Sequence, residues 1–290
     1  MAVLLFPGQG SQFVGMGKEI YDSNPESRQW FGKADEILGF ELSKTMFEGS
    51  EEDLKKTSVT QPAVFLHAFV SYKMNADKVE KSAVAGHSLG EFTALIANDV
   101  LSFEDGLSLV YKRAMAMQKA CDENSGTMAA ILGLEDPVVE SICESVDGTV
   151  VAANYNCPGQ LVVSGEVAAI EAMVEIAKEK GARRALVLNV DGAFHSPLMM
   201  SAQESLQEAI MNTQFNEPSV PIYQNVSAKA ETDSQSIQQN LIKQLTSSVR
   251  WTQSMQAMAA DGHTQYAEFG AKVLSGFIRR FDRNLEVSQF

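Results

Sequence analysis

The chain has 290 residues, 45% of them hydrophobic and 21% charged. That composition excludes wholesale disorder and provides enough apolar side chain for one large domain, or a large one carrying a smaller insert. The net charge of −14 argues against non-specific binding to nucleic acid or to anionic membrane lipid, and an anionic substrate would need a local basic pocket.

Ala2 to Phe6 is an apolar run that reads as a first buried strand, ending in the turn Pro7-Gly8-Gln9-Gly10. It lacks a basic n-region and is too short for a signal peptide, and no apolar run approaches the roughly 18 residues of a membrane span. From Thr60 the pattern is helical, with Pro62 in the first turn and Ala63, Leu66 and Val70 on one stripe. Ser82 to Ala85 is a short strand ending at Gly86, and Glu91 to Ala97 reads as a helix. Ser102 is the expected N-cap of the next helix, with Glu104 and Asp105 in its first turn and an end near Ala120.

The texture changes after Cys121. Thr127 to Leu134 reads as strand, Glu135 to Val146 as helix, and Val150 to Ala153 and Gln160 to Ser164 as strands flanking an Asn154 to Gly159 loop. Val167 to Lys180 is helical and Arg184 to Val190 strand-like. This βαββαβ order within about 70 residues predicts a ferredoxin-like subdomain, 123–191, inserted between 1–122 and 192–290. Outside it, strand and helix alternate as in an α/β sheet flanked by helices.

A strand running into Gly86-His87-Ser88-Leu89-Gly90 and straight into a helix has the form of a nucleophile elbow, as in an α/β-hydrolase-like large subdomain. The turn leaves Ser88 exposed at the carboxyl end of the sheet, with the Leu89 N–H and the helix dipole facing a nascent oxyanion. The bland alternative is a glycine-lined helix start with Ser88 as its cap. Four histidines are available as base. His87 adjoins Ser88 and points away from it, His67 lies in a helix, and His263 follows Asp261-Gly262 in a turn expected to face solvent. His195, in Gly192-Ala193-Phe194-His195-Ser196-Pro197, follows the serine in the chain order of α/β-hydrolases and is the expected base. No carboxylate is an evident third member; Asp191 is near in sequence only, and a backbone carbonyl would orient the ring equally well.

Arg113 shares an edge of the stripe formed by Val110, Ala114, Met117 and Cys121. An inward guanidinium needs an anion, which an internal Asp or Glu or a substrate carboxylate would supply. Phe6 to Gln12 is rich in glycine and lacks the lysine of a phosphate loop, so it is not a nucleotide site; it is an ordinary turn or a donor of a second oxyanion N–H. Cys121, Cys143 and Cys157 show neither disulfide nor zinc spacing, and the odd count points to a reducing, cytoplasmic compartment.

Together these segments resemble the malonyl-CoA:acyl carrier protein transacylases over nearly the whole chain. The likeness rests on FPGQGSQ at Phe6 to Gln12, TQPA at Thr60 to Ala63, GHSLGE at Gly86 to Glu91, and Arg113 with Met117. It continues through SGTMAAILGL at Ser125 to Leu134, NYNCPGQLVVSG at Asn154 to Gly165, and GAFHS at Gly192 to Ser196. The resemblance implies Ser88 as acylated nucleophile, His195 as base, Gln9 and Leu89 amides as oxyanion donors, and the Gln244 carbonyl as orienter of the imidazole. It further implies Arg113 as holder of the malonate carboxylate, with Met117 in the same helix of the substrate site. Asn154 and Asn156 would line the pantetheine cleft, and Leu89 and Phe194 would favour malonyl over methylmalonyl. The implied partners are malonyl-CoA and holo acyl carrier protein, in fatty acid biosynthesis or serving a polyketide synthase, with no metal or other cofactor and a monomeric chain. A thioesterase is the rival reading of the same elbow. The family often carries a Gly-Pro-Gly-Lys turn near the C-terminus, whereas Glu268-Phe269-Gly270-Ala271-Lys272 is a residue shorter here.

Overall fold

The computed structural model describes residues 1–190 and 192–290. In chain order its strands are β1 (Ala2–Phe6), β2 (Lys81–Gly86), β3 (Gly126–Leu132), β4 (Val150–Cys157), β5 (Gln160–Glu166), β6 (Arg184–Val187), β7 (Ile222–Tyr223), β8 (Ala230–Glu231), β9 (Gln265–Glu268) and β10 (Glu286–Gln289). The larger sheet has the order β10-β9-β1-β2-β7-β8. Its pairs are parallel except β7 with β8. Every residue of β1 is buried, as expected for a central parallel strand covered on both faces.

The period of two along β1 sends its side chains into two cores. Leu4 and Phe6 pack with Phe65, Phe92 and Val110 from the helices Thr57–Lys73, Gly90–Ala97 and Phe103–Glu123. Val3 and Leu5 pack on the opposite face with Trp251 and Met255 of Trp251–Ala260 and Ile278 of Leu274–Phe281. The smaller sheet, β4-β5-β3-β6, is wholly antiparallel and has its own core, including Ile131, Val163, Ile170 and Met173. With helices Asp136–Ser145 and Val167–Glu179 it forms the βαββαβ layer anticipated from the sequence. The chain is thus α/β, with an α/β-hydrolase-like large sheet and a ferredoxin-like small one. No helix among the described residues is long and apolar enough to cross a membrane.

Several element boundaries differ from the sequence reading. The helix expected from Thr60 begins at Thr57, so Pro62 sits in its second turn. The carbonyl deprived of a donor by Pro62 belongs to Ser58, still in the first turn, so the helix absorbs the loss. The Asn154 to Cys157 segment is strand, not loop: β4 continues through register shifts between Ala152 and Asn154 and between Tyr155 and Cys157. Its other edge is held by Val249, whose carbonyl accepts from the Tyr155 N–H at 2.9 Å. Conversely, β6 stops at Val187, three residues before the expected end. Asp191, the carboxylate near His195 in sequence, lies outside the described residues.

The elbow depends on contact between backbones. A Cβ on Gly86 would lie 2.0 Å from the Gly90 carbonyl carbon, and one on Gly90 would lie 2.0 Å from the Phe6 carbonyl oxygen. Because backbone blocks both positions, Gly90→Ala should cost about 3 kcal/mol or more of unfolding free energy. The midpoint of a urea denaturation curve measures it.

Candidate active site

Three parallel strands end side by side, and the residues that follow each build the site. β1 runs into Pro7-Gly8-Gln9, β2 into His87-Ser88, and β7 into Gln224-Asn225. Carboxyl ends of parallel strands are where α/β sheets open a crevice. Ser88 occupies the left-handed region at φ 52°, which costs a non-glycine residue on the order of 1–3 kcal/mol. Asn225 offsets that cost. Its Oδ1 accepts from the Ser88 N–H at 2.6 Å, and its Nδ2 donates to the Gly86 carbonyl at 2.7 Å.

Ser88 Oγ lies 2.7 Å from His195 Nε2. His195 also has a left-handed backbone, at φ 59°. Its Nδ1 is 2.9 Å from the Gln244 carbonyl and 3.1 Å from that of Ser247. These carbonyls fix the proton on Nδ1, leaving the Nε2 lone pair to face the serine hydroxyl. The ring is buried. Burial first, then the nearby Arg113 charge, pushes its pKa down to about 3, against the two carbonyls.

Arg113 is 1% exposed and reaches the same hydroxyl. Its Nη2 donates to Ser88 Oγ at 3.0 Å and to Gln244 Oε1 at 3.1 Å, while Nη1 donates to Gln61 Oε1 at 2.8 Å. Arg113 Nε has no hydrogen-bond partner, and none of the ion pairs among the described residues includes this side chain. The Phe92 ring lies 5.8 Å from its Cζ. Burial lowers its pKa to about 9, opposed by the field of Glu91, so it remains a cation at neutral pH. Of the two anions considered for it, an internal salt-bridge partner is not what the fold supplies.

The remaining expected residues are distributed between cleft and support. A cleft of about 350 Å³ is lined by Gln9, Ser88 and Met117 from the large layer and by Asn154, Asn156 and Val162 from the small sheet. Phe194 and His195 also line it, and Phe277 comes from the helix Leu274–Phe281. The shortened turn before that helix is anchored by buried Glu268, which accepts from the N–H groups of Val273, Leu274 and Ser275 at 2.6–2.9 Å. The Leu89 side chain is buried in the core beneath the elbow. Its N–H stands at the start of the helix Gly90–Ala97, where first-turn amides lack intrahelical acceptors. Met117 Sδ accepts from Gln61 Nε2 at 3.0 Å. Asn156 Oδ1 lies 2.9 Å from His87 Nε2, and buried Asn154 Oδ1 has no partner.

The other histidines lie apart from the serine hydroxyl. His87 packs beneath the turn, and burial lowers its pKa to about 4. His67 is buried against Phe13. His263, expected to face solvent, is half-buried, with Nδ1 3.3 Å from Ser82 Oγ and its ring against Tyr223. No group of three or more His, Cys, Asp or Glu among the described residues is placed to hold a metal ion.

Four residues of the site were not singled out as functional from sequence: Gln61, Glu91, Gln224 and Asn225. Gln61 and Glu91 lie inside the quoted TQPA and GHSLGE segments, a signal that was available. Gln224 and Asn225 carried none, because their role depends on β7 pairing beside β2.

Comparison with known proteins places the chain in a family. The acyl transferase domain family matches residues 3–277. A malonyl CoA-acyl carrier protein transacylase from Bacillus subtilis is 42% identical over 287 residues, covering 97% of this chain and 90% of the relative. One from Staphylococcus aureus strain MRSA252 is 40% identical over 290 residues, covering 98% and 94%. The crystal structure of an acyl-carrier-protein S-malonyltransferase from Burkholderia pseudomallei superposes with a TM-score of 0.95 at 39% identity, covering 100% of this chain and 96% of the other. A malonyl-transacylase solved in complex with its type II PKS acyl-carrier protein superposes at 0.96 with 34% identity, covering 99% and 95%. The chain belongs to the malonyl CoA-acyl carrier protein transacylase family.

Proposed function

We propose that the chain moves the malonyl group of malonyl-CoA to the phosphopantetheine thiol of holo acyl carrier protein through an ester on Ser88. The observation that carries this reading is the convergence of a neutral base and an unpaired buried cation on one hydroxyl. His195 Nε2 is 2.7 Å from Ser88 Oγ, and Arg113 Nη2 is 3.0 Å from it.

Ser88 attacks the thioester carbonyl as His195 takes its proton, and the Gln9 and Leu89 amides receive the oxyanion. The tetrahedral intermediate collapses with cleavage of the carbon–sulfur bond, and His195 returns the proton to the departing CoA thiolate. The carrier-protein thiol then enters the same cleft, gives its proton to His195 and attacks the Ser88 ester. Collapse releases the serine oxygen, which recovers the proton from His195. The Gln244 carbonyl orients the ring throughout, in the place an acid would occupy in a Ser-His-Asp triad.

Arg113 holds the free carboxylate of malonate and selects the acyl group. Its burial makes the pairing strong, because the guanidinium has lost its water before the substrate arrives. Phe194 limits room at the α-carbon, with Leu89 buried behind the turn; Met117 borders the substrate site, while Asn154 and Asn156 line the path of the pantetheine arm. We assign residues 1–122 and 192–290 to the catalytic subdomain and 123–191 to the small one. We take the chain to be a monomer acting in the cytoplasm, a reducing compartment with which the odd cysteine count agrees. Fatty acid biosynthesis is the pathway adopted. A polyketide carrier is the second reading, since a malonyl-transacylase bound to one shares this fold.

Intact-mass measurement after incubation with malonyl-CoA should show one malonyl adduct that transfers to added holo acyl carrier protein. Ser88→Ala should show none; an adduct on that variant would place the nucleophile elsewhere, and release of free malonate without transfer would indicate a thioesterase. Arg113→Ala should lose about 2–5 kcal/mol of transition-state binding, roughly 30- to 5,000-fold in kcat/KM for malonyl-CoA. Its loss with acetyl-CoA should stay under about tenfold, and equal losses would reject the carboxylate clamp.

The depressed His195 pKa is checked by nitrogen NMR of the imidazole. The buried ring should stay neutral down to about pH 5, and a midpoint near the ordinary 6.5 would contradict it. Because the folded-state pKa is lowered, His195 favours the fold above pH 6.5. That contribution is lost as pH falls from 6.5 toward 3, where the unfolded chain alone takes up the proton.

A further inference from the structure

Behind Arg113 lies a chain of buried polar side chains that the acyl transfer steps do not use. Glu91, in the first turn of the helix Gly90–Ala97, is 1% exposed. One of its oxygens accepts from Gln224 Nε2 at 2.8 Å and the other from Gln244 Nε2. Gln224 Nε2 donates to the Ile237 carbonyl at 3.1 Å, and its Oε1 accepts from Asn240 Nδ2 at 2.9 Å. None of these contacts touches the cleft.

The consequence lies in the Gln244 side chain. A primary amide has one accepting and one donating end. The Nε2 of Gln244 faces two groups that only accept, the Glu91 carboxylate and the Ser88 carbonyl at 3.1 Å. Its Oε1 is therefore turned toward Arg113 Nη2, at 3.1 Å. Gln61 Oε1 holds Nη1 at 2.8 Å from the other side. The guanidinium is thus held by two amide oxygens, with Nη2 directed at Ser88 Oγ, where an acyl group would be attached.

We propose that Glu91 is a positioning residue for acyl selection: through the Gln244 amide it aims Arg113 at the free carboxylate of the acyl group. This rests on the transacylase reading above. A carboxylate suits the role because both of its oxygens accept, so Gln224 and Gln244 donate to it together. A glutamine at position 91 would set an NH2 against one of those donors. Relief requires an amide to rotate, and rotation of Gln244 would turn its Nε2 toward the cation. Glu91 also places a negative charge near Arg113 without contacting it, which leaves the guanidinium free to bind the substrate.

The test is Glu91→Gln, assayed for self-acylation with malonyl-CoA and acetyl-CoA at about pH 8. That pH lies above the pKa of about 7 to which burial raises the carboxyl group. The malonyl-to-acetyl ratio of kcat/KM should fall on the order of tenfold, the loss of one buried charge-assisted hydrogen bond. The fall should appear mainly in KM, with thermal melting confirming the fold. In an Arg113→Ala background the same change should leave the ratio where Arg113→Ala alone puts it. An unchanged ratio, a parallel fall with both substrates, or a further fall of the ratio in that background would overturn the proposal. The Arg113→Ala control separates the two levels: if wild type and Arg113→Ala share one ratio, the carboxylate clamp itself has failed. Should Glu91→Gln not fold, Gln244→Met removes the same link and keeps the backbone carbonyl that His195 uses. It too must lower the ratio, and an unchanged ratio overturns the proposal.

Discussion

The left-handed turn at Ser88 is the constraint on which the rest of the site depends. A serine at φ 52° is strained, and the strain persists only because the surroundings leave the chain no relaxed alternative. Gly90 lies against the Phe6 carbonyl, and the His87 N–H donates to that same oxygen at 3.0 Å. Asn225 bridges the Ser88 N–H and the Gly86 carbonyl from the other side. The elbow is therefore clamped between the carboxyl ends of β1 and β7, and its hydroxyl is delivered to a place set by three strands.

That placement explains why a buried arginine and a buried histidine can share one oxygen. Each charge would be costly alone in this interior. His195 avoids the cost by remaining neutral, with its Nδ1 proton directed at two carbonyls. Arg113 keeps its charge with three amide or hydroxyl oxygens around it. A protein carrying a net charge of −14 thereby presents a desolvated cation beside the Ser88 hydroxyl. The surface keeps like-charged molecules out only weakly, since exposed charges are screened over about 8 Å at physiological salt. The buried cation is hardly screened.

The cleft is assembled from both sheets. Asn154 and Asn156 reach it together because residues two apart on a strand share a face, and β4 extends through both positions. Gln244 joins the two halves of the site by using its backbone for His195 and its side chain for Arg113 and Glu91. The imidazole and the guanidinium are thus both held by one residue.

Much of this was legible in the chain itself. Local patterning suffices for β1, β2, the elbow and the βαββαβ layer, because hydrophobic period and glycine spacing act over a few residues. The same holds for the candidacy of Ser88, His195 and Arg113, whose residue types limit what they can do. The partners of these groups were decided only by tertiary structure. Asn225 is 137 residues from Ser88, and Gln244 is 131 from Arg113, separations that no local rule spans. The asparagines of β4 looked like loop because Asn disfavours strand, and the cross-strand hold of Val249 overrode that preference. The sequence by itself determined which side chains could perform the chemistry. Only the packing of parallel strand ends decided which of them meet, because hydrogen-bond distance is a property of the fold and not of spacing along the chain.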